Sequence, residues 1–153
     1  MKKVIITTFS DSKYFDLLKE LISSIKRFSD SSKVSVGVLD GGLTDDQIDY
    51  LNQNVNYIKK ANWDIPINKI RVRGRDYLKN HVCRAFLPEY FSGYDKYIWL
   101  DCDTWLNDWK AIDYLIEGCK NGKLAVVQTI APGYRDVGRV KWLFKNVALV
   151  KTQ

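Results

Sequence analysis

Short apolar runs alternate with amphipathic stretches of helical period along most of this chain. That alternation restricts the fold more than any other feature of the 153 residues. KKVIITTF (2–9), KVSVGVLD (33–40) and KYIWLDC (96–102) are rich in β-branched or aromatic residues and largely apolar on both faces. Strands of that kind are buried on both sides, as in a parallel sheet covered by helices. VNYIKKA (55–61), LAVVQTI (124–130) and NVALVK (146–151) are three further candidate strands. Between strands, Ser12 to Phe28 places Leu17, Leu18, Leu21, Ile22, Ile25 and Phe28 on one helical face, with lysines and Glu20 opposite. Thr44 and Gln47 form a capping box that opens TDDQIDYLNQN. Helical spacing returns from Asp76 to Phe91, where Pro88 ends or bends the helix. Asn107 or Asp108 caps WKAIDYLIEGCKNG. The pattern predicts an α/β domain with a mainly parallel sheet and helices on both faces. Ligands of such sheets bind beyond the carboxyl ends of the strands. Asp40, Asp101 and Asp103 all fall at or just past predicted strand ends.

The last two ask for a chemical reason. In YDKYIWLDCDTWLND (94–108) an apolar strand runs straight into Asp101 and Asp103, and side chains two apart on extended backbone share a side. Two carboxylates roughly 6 Å apart repel by a few kcal/mol at an effective dielectric near 20. A hard divalent cation removes that cost and takes oxygen ligands readily. An EF-hand is excluded, because Leu106 stands where its turn glycine belongs and Ile112 where its bidentate glutamate belongs. Zinc would want His or Cys ligands close by. The competing reading is that the pair merely caps the turn into the next helix.

Lys and Arg total 24 against 18 Asp and Glu, a net charge of +6 that suits anionic partners without choosing among them. Cys83, Cys102 and Cys119 are widely spaced, with no CxxC, which fits reduced thiols and a cytoplasmic protein. His81 is the single histidine, so a His-rich metal site is excluded within this chain. The N-terminus does not read as a signal peptide, and no apolar run approaches the length of a transmembrane segment.

CRAFLPEYF followed by YDKYIWLDCDTWLND resembles the core of GT-A-type nucleotide-sugar glycosyltransferases, particularly the family that includes glycogenin and bacterial galactosyltransferases. VIITTFSDSKYFDLLKELISSIKRF and VGVLDGGLT are similar to that family's opening strand, helix and second strand. The resemblance implies transfer of a sugar from a UDP-sugar to a glycan, protein or lipid acceptor. It implies Mn²⁺ or Mg²⁺ held by Asp101 and Asp103 against the donor diphosphate, with Cys102 beside the ribose. Thr7, Thr8, Asp11 and Tyr14 fall where the family holds the nucleotide, with Asp40 nearby at the second strand end. Arg84 falls where an Arg contacts the donor. Asn146 falls on the Asn of the family's F-N-x-G strand, with Ala148 in place of its Gly. By this resemblance residues 1–153 are one donor-binding domain, truncated before the family's acceptor-binding half and its usual His ligand. The last strand would then offer an open edge for self-association.

Three other readings stand beside this one. A non-catalytic nucleotide-sugar-binding remnant would keep the same residues. A nucleotidyltransferase would normally carry a Gly-rich basic loop after the first strand, and TTFSDSKYF has no glycine. A nucleic-acid-binding module would use Lys69, Arg71, Arg73 and Arg75, but KIRVRGR lacks the aromatics that stack on bases.

Overall fold

The computed structural model describes residues 3–66, 72 and 74–127. Four predicted strands form there: β1 (Val4–Ser10), β2 (Ser35–Asp40), β3 (Tyr57–Lys60) and β4 (Lys96–Trp99). They make one sheet in the order β3-β2-β1-β4, with every neighbouring pair parallel. Parallel neighbours require crossover connections. The helical segments are α1 (Phe15–Lys26), α2 (Asp45–Asn52), α3 (Lys79–Cys83), α4 (Leu87–Tyr90) and α5 (Lys110–Gly118).

All seven residues of the central strand β1 are buried, as its two-faced apolar sequence requires. Val4 and Ile6 face Leu21 and Ile25 of α1, together with Leu106 and Ile112. Leu18 and Ile22 of α1 meet Val38 and Leu51 in a neighbouring cluster. Ile5 and Phe9 point the other way, onto Cys83, Leu87 and Phe91. Each such Leu or Ile contributes about 1.5–3 kcal/mol by leaving water, so both faces of the sheet are core. In the first helix Leu17 departs from the expected face and stays 43% exposed. The buried stripe is Leu18, Leu21, Ile22 and Ile25, spaced three and four residues apart.

Two segments differ from their sequence reading. The expected helix over 76–91 is a chain of short turns, with 3₁₀ turns at Asp76–Leu78 and Arg84–Phe86 around α3. Pro88 then lies in the first turn of α4, where its missing N–H removes no hydrogen bond. The strand expected at 124–130 does not form in its described part, residues 124–127. Ala125 packs against Gly118 instead, and Leu124, Val126 and Val127 are largely exposed beside Trp105 and Tyr114. An apolar run signals a demand for burial, whereas a strand also needs a partner ladder. Residues 128–130 and the candidate strand 146–151, with its expected open edge, lie outside the described residues.

Candidate functional site

The chain leaves β1 towards β2 on one side, and β4 is laid down on the other. The crevice between β1 and β4 is therefore the topological switch point of the sheet. A cleft of about 500 Å³ opens there, a volume suited to a nucleotide-sized ligand. Phe9, Ser10 and the 11–14 turn form one wall, Asp101–Asp103 another, and Tyr77, Asn80, His81 and Arg84 a third. Gly41 N–H donates to Ser10 O (2.8 Å) and ties the loop after β2 to the end of β1. A Cβ at Gly41 would stand 2.1 Å from the Phe9 ring, so only glycine fits there.

The acidic pair is placed by a turn rather than by extended backbone. β4 ends at Trp99, and Thr104 N–H donates back to Asp101 O at 3.0 Å. That corrects the expectation of two side chains sharing one face of a strand, although both aspartates line the same cleft. Downstream, the turn is pinned to α1. Leu106 is buried and its N–H donates to Ser24 Oγ at 3.0 Å, while Arg27 donates to the carbonyls of Leu106 and Asn107. Asp108 then accepts from Lys110 N–H at 2.9 Å and starts α5, as anticipated for 107 or 108.

Asp101 is already engaged. Its Oδ1 accepts from Arg84 Nη2 at 2.7 Å and from Trp99 Nε1 at 2.9 Å, and the guanidinium lies 4.7 Å from the Trp99 ring centroid. Asn80 Oδ1 braces Arg84 from one turn earlier, accepting from Nε and Nη2 at 3.2 and 3.0 Å. Asp103 is exposed on the cleft, and its carboxylate accepts no hydrogen bond among the described residues. Cys102 lies between them, half-buried. Burial first, then the Asp103 carboxylate, raises its thiol pKa, so it is a neutral contact surface.

The remaining expected residues divide. Asp11 and Tyr14 line the cleft. Asp11 also caps the turn, its Oδ1 accepting from the N–H groups of Lys13 (3.0 Å) and Tyr14 (3.2 Å). Thr7 and Thr8 do not line the cleft and are buried in β1, where Thr7 Oγ1 donates to Ile98 O. Asp40 is buried below the β2 loop, away from the cleft lining. Its Oδ1 accepts from Gly42 and Leu43 N–H at 2.7 Å each, and Oδ2 pairs with Lys60 at 3.2 Å. Burial pushes the Asp40 pKa up. The two backbone donors and the Lys60 ammonium outweigh that and bring it below its ordinary value. Asn146, Lys69, Arg71 and Arg73 lie outside the described residues.

Sequence reasoning missed Tyr77, Asn80, His81 and Lys13. The first three stand seven, four and three residues before Arg84, so helical periodicity alone would have put them on its face. Nothing in the sequence marks Lys13 except its place after Asp11.

No three His, Cys, Asp or Glu side chains converge as a metal cluster among the described residues. The donors on offer are the carboxylates of Asp101 and Asp103. A hard dication that takes one or two carboxylates and completes its shell with phosphate oxygens and water fits that set.

A parallel α/β sheet with an acidic turn just past a strand end at its switch point has its ligand cleft where such folds place one. A family model, "Glycosyl transferase family 8", matches residues 5–146, and the chain belongs to that family. Solved structures agree on the fold. The galactosyltransferase LgtC in complex with donor and acceptor sugar analogs is similar at a TM-score of 0.52 and 18% identity. An active-site mutant of LgtC is similar at 0.50 and 19%. Each match covers 71% of this chain and 41% of the other, so the chain spans about two-fifths of those structures. No curated protein matches the chain. No helix among the described residues is long and apolar enough to cross a membrane.

Proposed function

We propose that the cleft binds the diphosphate of a UDP-sugar through Mn²⁺ or Mg²⁺ held by Asp101 and Asp103, and that the chain is the donor-binding part of a sugar transferase. The observation that carries this reading is the placement of both carboxylates on the switch-point cleft, one of them without a hydrogen-bond donor among the described residues. A bare pair of charges at the rim of a core is costly. Arg84 offsets Asp101, and Asp103 is left to a cation.

Breaking the sugar–phosphate bond leaves charge on the departing diphosphate. A bound dication supplies Lewis-acid stabilisation of that charge. Arg84 does the matching work from the protein side. Its pair with Asp101 is 36% and 49% exposed at the two side chains, and such pairs are worth at most about 1 kcal/mol. Exchanging Asp101 for a phosphate oxygen therefore costs the guanidinium little, and the contact strengthens as charge develops. Tyr14 and Tyr77, each about half exposed at the mouth, offer flat faces to a base or sugar ring. Asp11 keeps the Lys13–Tyr14 turn in place.

Isothermal titration of the full chain with UDP, in Mn²⁺ and then in excess EDTA, tests this reading. Binding is expected with metal, and EDTA or Asp103→Asn is expected to abolish it while leaving the thermal midpoint unchanged. Equal UDP affinity in all three conditions removes the metal role.

A further inference from the structure

The donor reading leaves one charged side chain of the cleft without a task. The charged residues lining it are Asp11, Lys13, Arg84, Asp101 and Asp103. Asp11 is engaged in capping, and Arg84 and Asp101 hold each other. That leaves one anion, Asp103, and one cation, Lys13, unpaired among the described residues.

Local sequence explains why Lys13 has no partner among the described residues. Lys19, Lys33, Lys79 and Lys120 each fold onto a carboxylate three residues earlier: Asp16, Asp30, Asp76 and Glu117. Three residues before Lys13 stands Ser10, and the carboxylate three residues after it, Asp16, is taken by Lys19. The Lys13 backbone is fixed all the same, because its N–H donates to Asp11 Oδ1 at 3.0 Å within the 3₁₀ turn Ser12–Tyr14. The Lys13 backbone is thus held at the cleft while its ammonium has no partner among the described residues.

We propose that Lys13 is a donor-binding residue that contacts the diphosphate of the nucleotide sugar from the 11–14 turn. The proposal rests on the donor-site reading above. With three carboxylates against two cations the cleft's own side chains are net negative and repel a diphosphate. A dication reverses the sign only by one charge, and that remaining positive charge is the one Lys13 brings. An ammonium suits the role because it meets phosphate oxygens as a mobile point charge without needing a fixed fork geometry.

The test is titration of the full chain, in Mn²⁺, with UDP and separately with uridine, for the unsubstituted protein, Lys13→Met and Lys13→Arg. Lys13→Met is expected to weaken UDP about tenfold or more while leaving uridine unchanged, and Lys13→Arg to restore most of the loss. Unchanged UDP affinity in Lys13→Met, or an equal loss for uridine and UDP, overturns the assignment alone. Failure of the unsubstituted chain to bind UDP overturns the donor-site reading, and the assignment with it.

Discussion

Two carboxyl ends of the same sheet carry aspartates, and they put them to opposite uses. At the end of β2, Asp40 is buried, accepts two backbone N–H groups and pairs with Lys60. Past the end of β4, Asp101 and Asp103 are exposed on a cleft, and the second has no donor among the described residues. In sequence both are an Asp that follows an apolar run. A carboxylate whose lone pairs are filled by its own loop belongs to the fold. One left unfilled at a switch point is available to a ligand.

Unfolding free energies from urea titration should rank four side chains at this end of the sheet by how fully the fold uses them. Asp40→Ala has the largest effect, a loss of about 2 kcal/mol, because it leaves two part-buried backbone donors and the Lys60 ammonium without their carboxylate. Asp11→Ala follows at about 1 kcal/mol, the cost of an N-terminal cap. Arg84→Met costs less than about 1 kcal/mol, as an exposed pair should. Asp103→Asn lies within about 0.5 kcal/mol of the unsubstituted chain, yet has the largest effect on UDP binding. A loss for Asp103→Asn comparable to that for Asp40→Ala would erase the distinction between the two ends.

Acid sharpens the same contrast. The Asp40 pKa is lowered in the folded chain, so its contribution to stability is complete above the ordinary carboxyl value of 3.8 and is lost as pH falls through the lower, folded value. The urea midpoint of the unsubstituted chain should therefore fall more steeply below pH 4 than that of Asp40→Asn. Parallel acid profiles for the two proteins would contradict the role given to Asp40.

Much of this was legible in the amino acids. The two-faced apolar strands required a covered parallel sheet, and the Thr44–Gln47 cap formed, with Gln47 Oε1 accepting from Thr44 N–H at 3.0 Å. Asp11 performs the capping that its position before SKY suggests. What escaped was geometry that only packing decides. β4 stops two residues before Asp101, because the following chain is drawn onto α1 by Leu106 and Ser24, so the pair meets through a turn. Thr7 and Thr8 carry polar groups but fall in the middle of a buried strand, where the Thr7 hydroxyl donates to Ile98 O. Leu124 to Val127 read as a strand because apolarity is visible in a sequence and a pairing partner is not.

The most direct measurement is an anomalous-difference map at the manganese edge, from crystals of the full chain grown with Mn²⁺ and UDP. The account expects a peak within coordination distance of carboxylate oxygens of both Asp101 and Asp103, next to the diphosphate, with Arg84 no longer bonded to Asp101. A cleft without a peak, with nucleotide elsewhere and the Arg84–Asp101 pair intact, would contradict it.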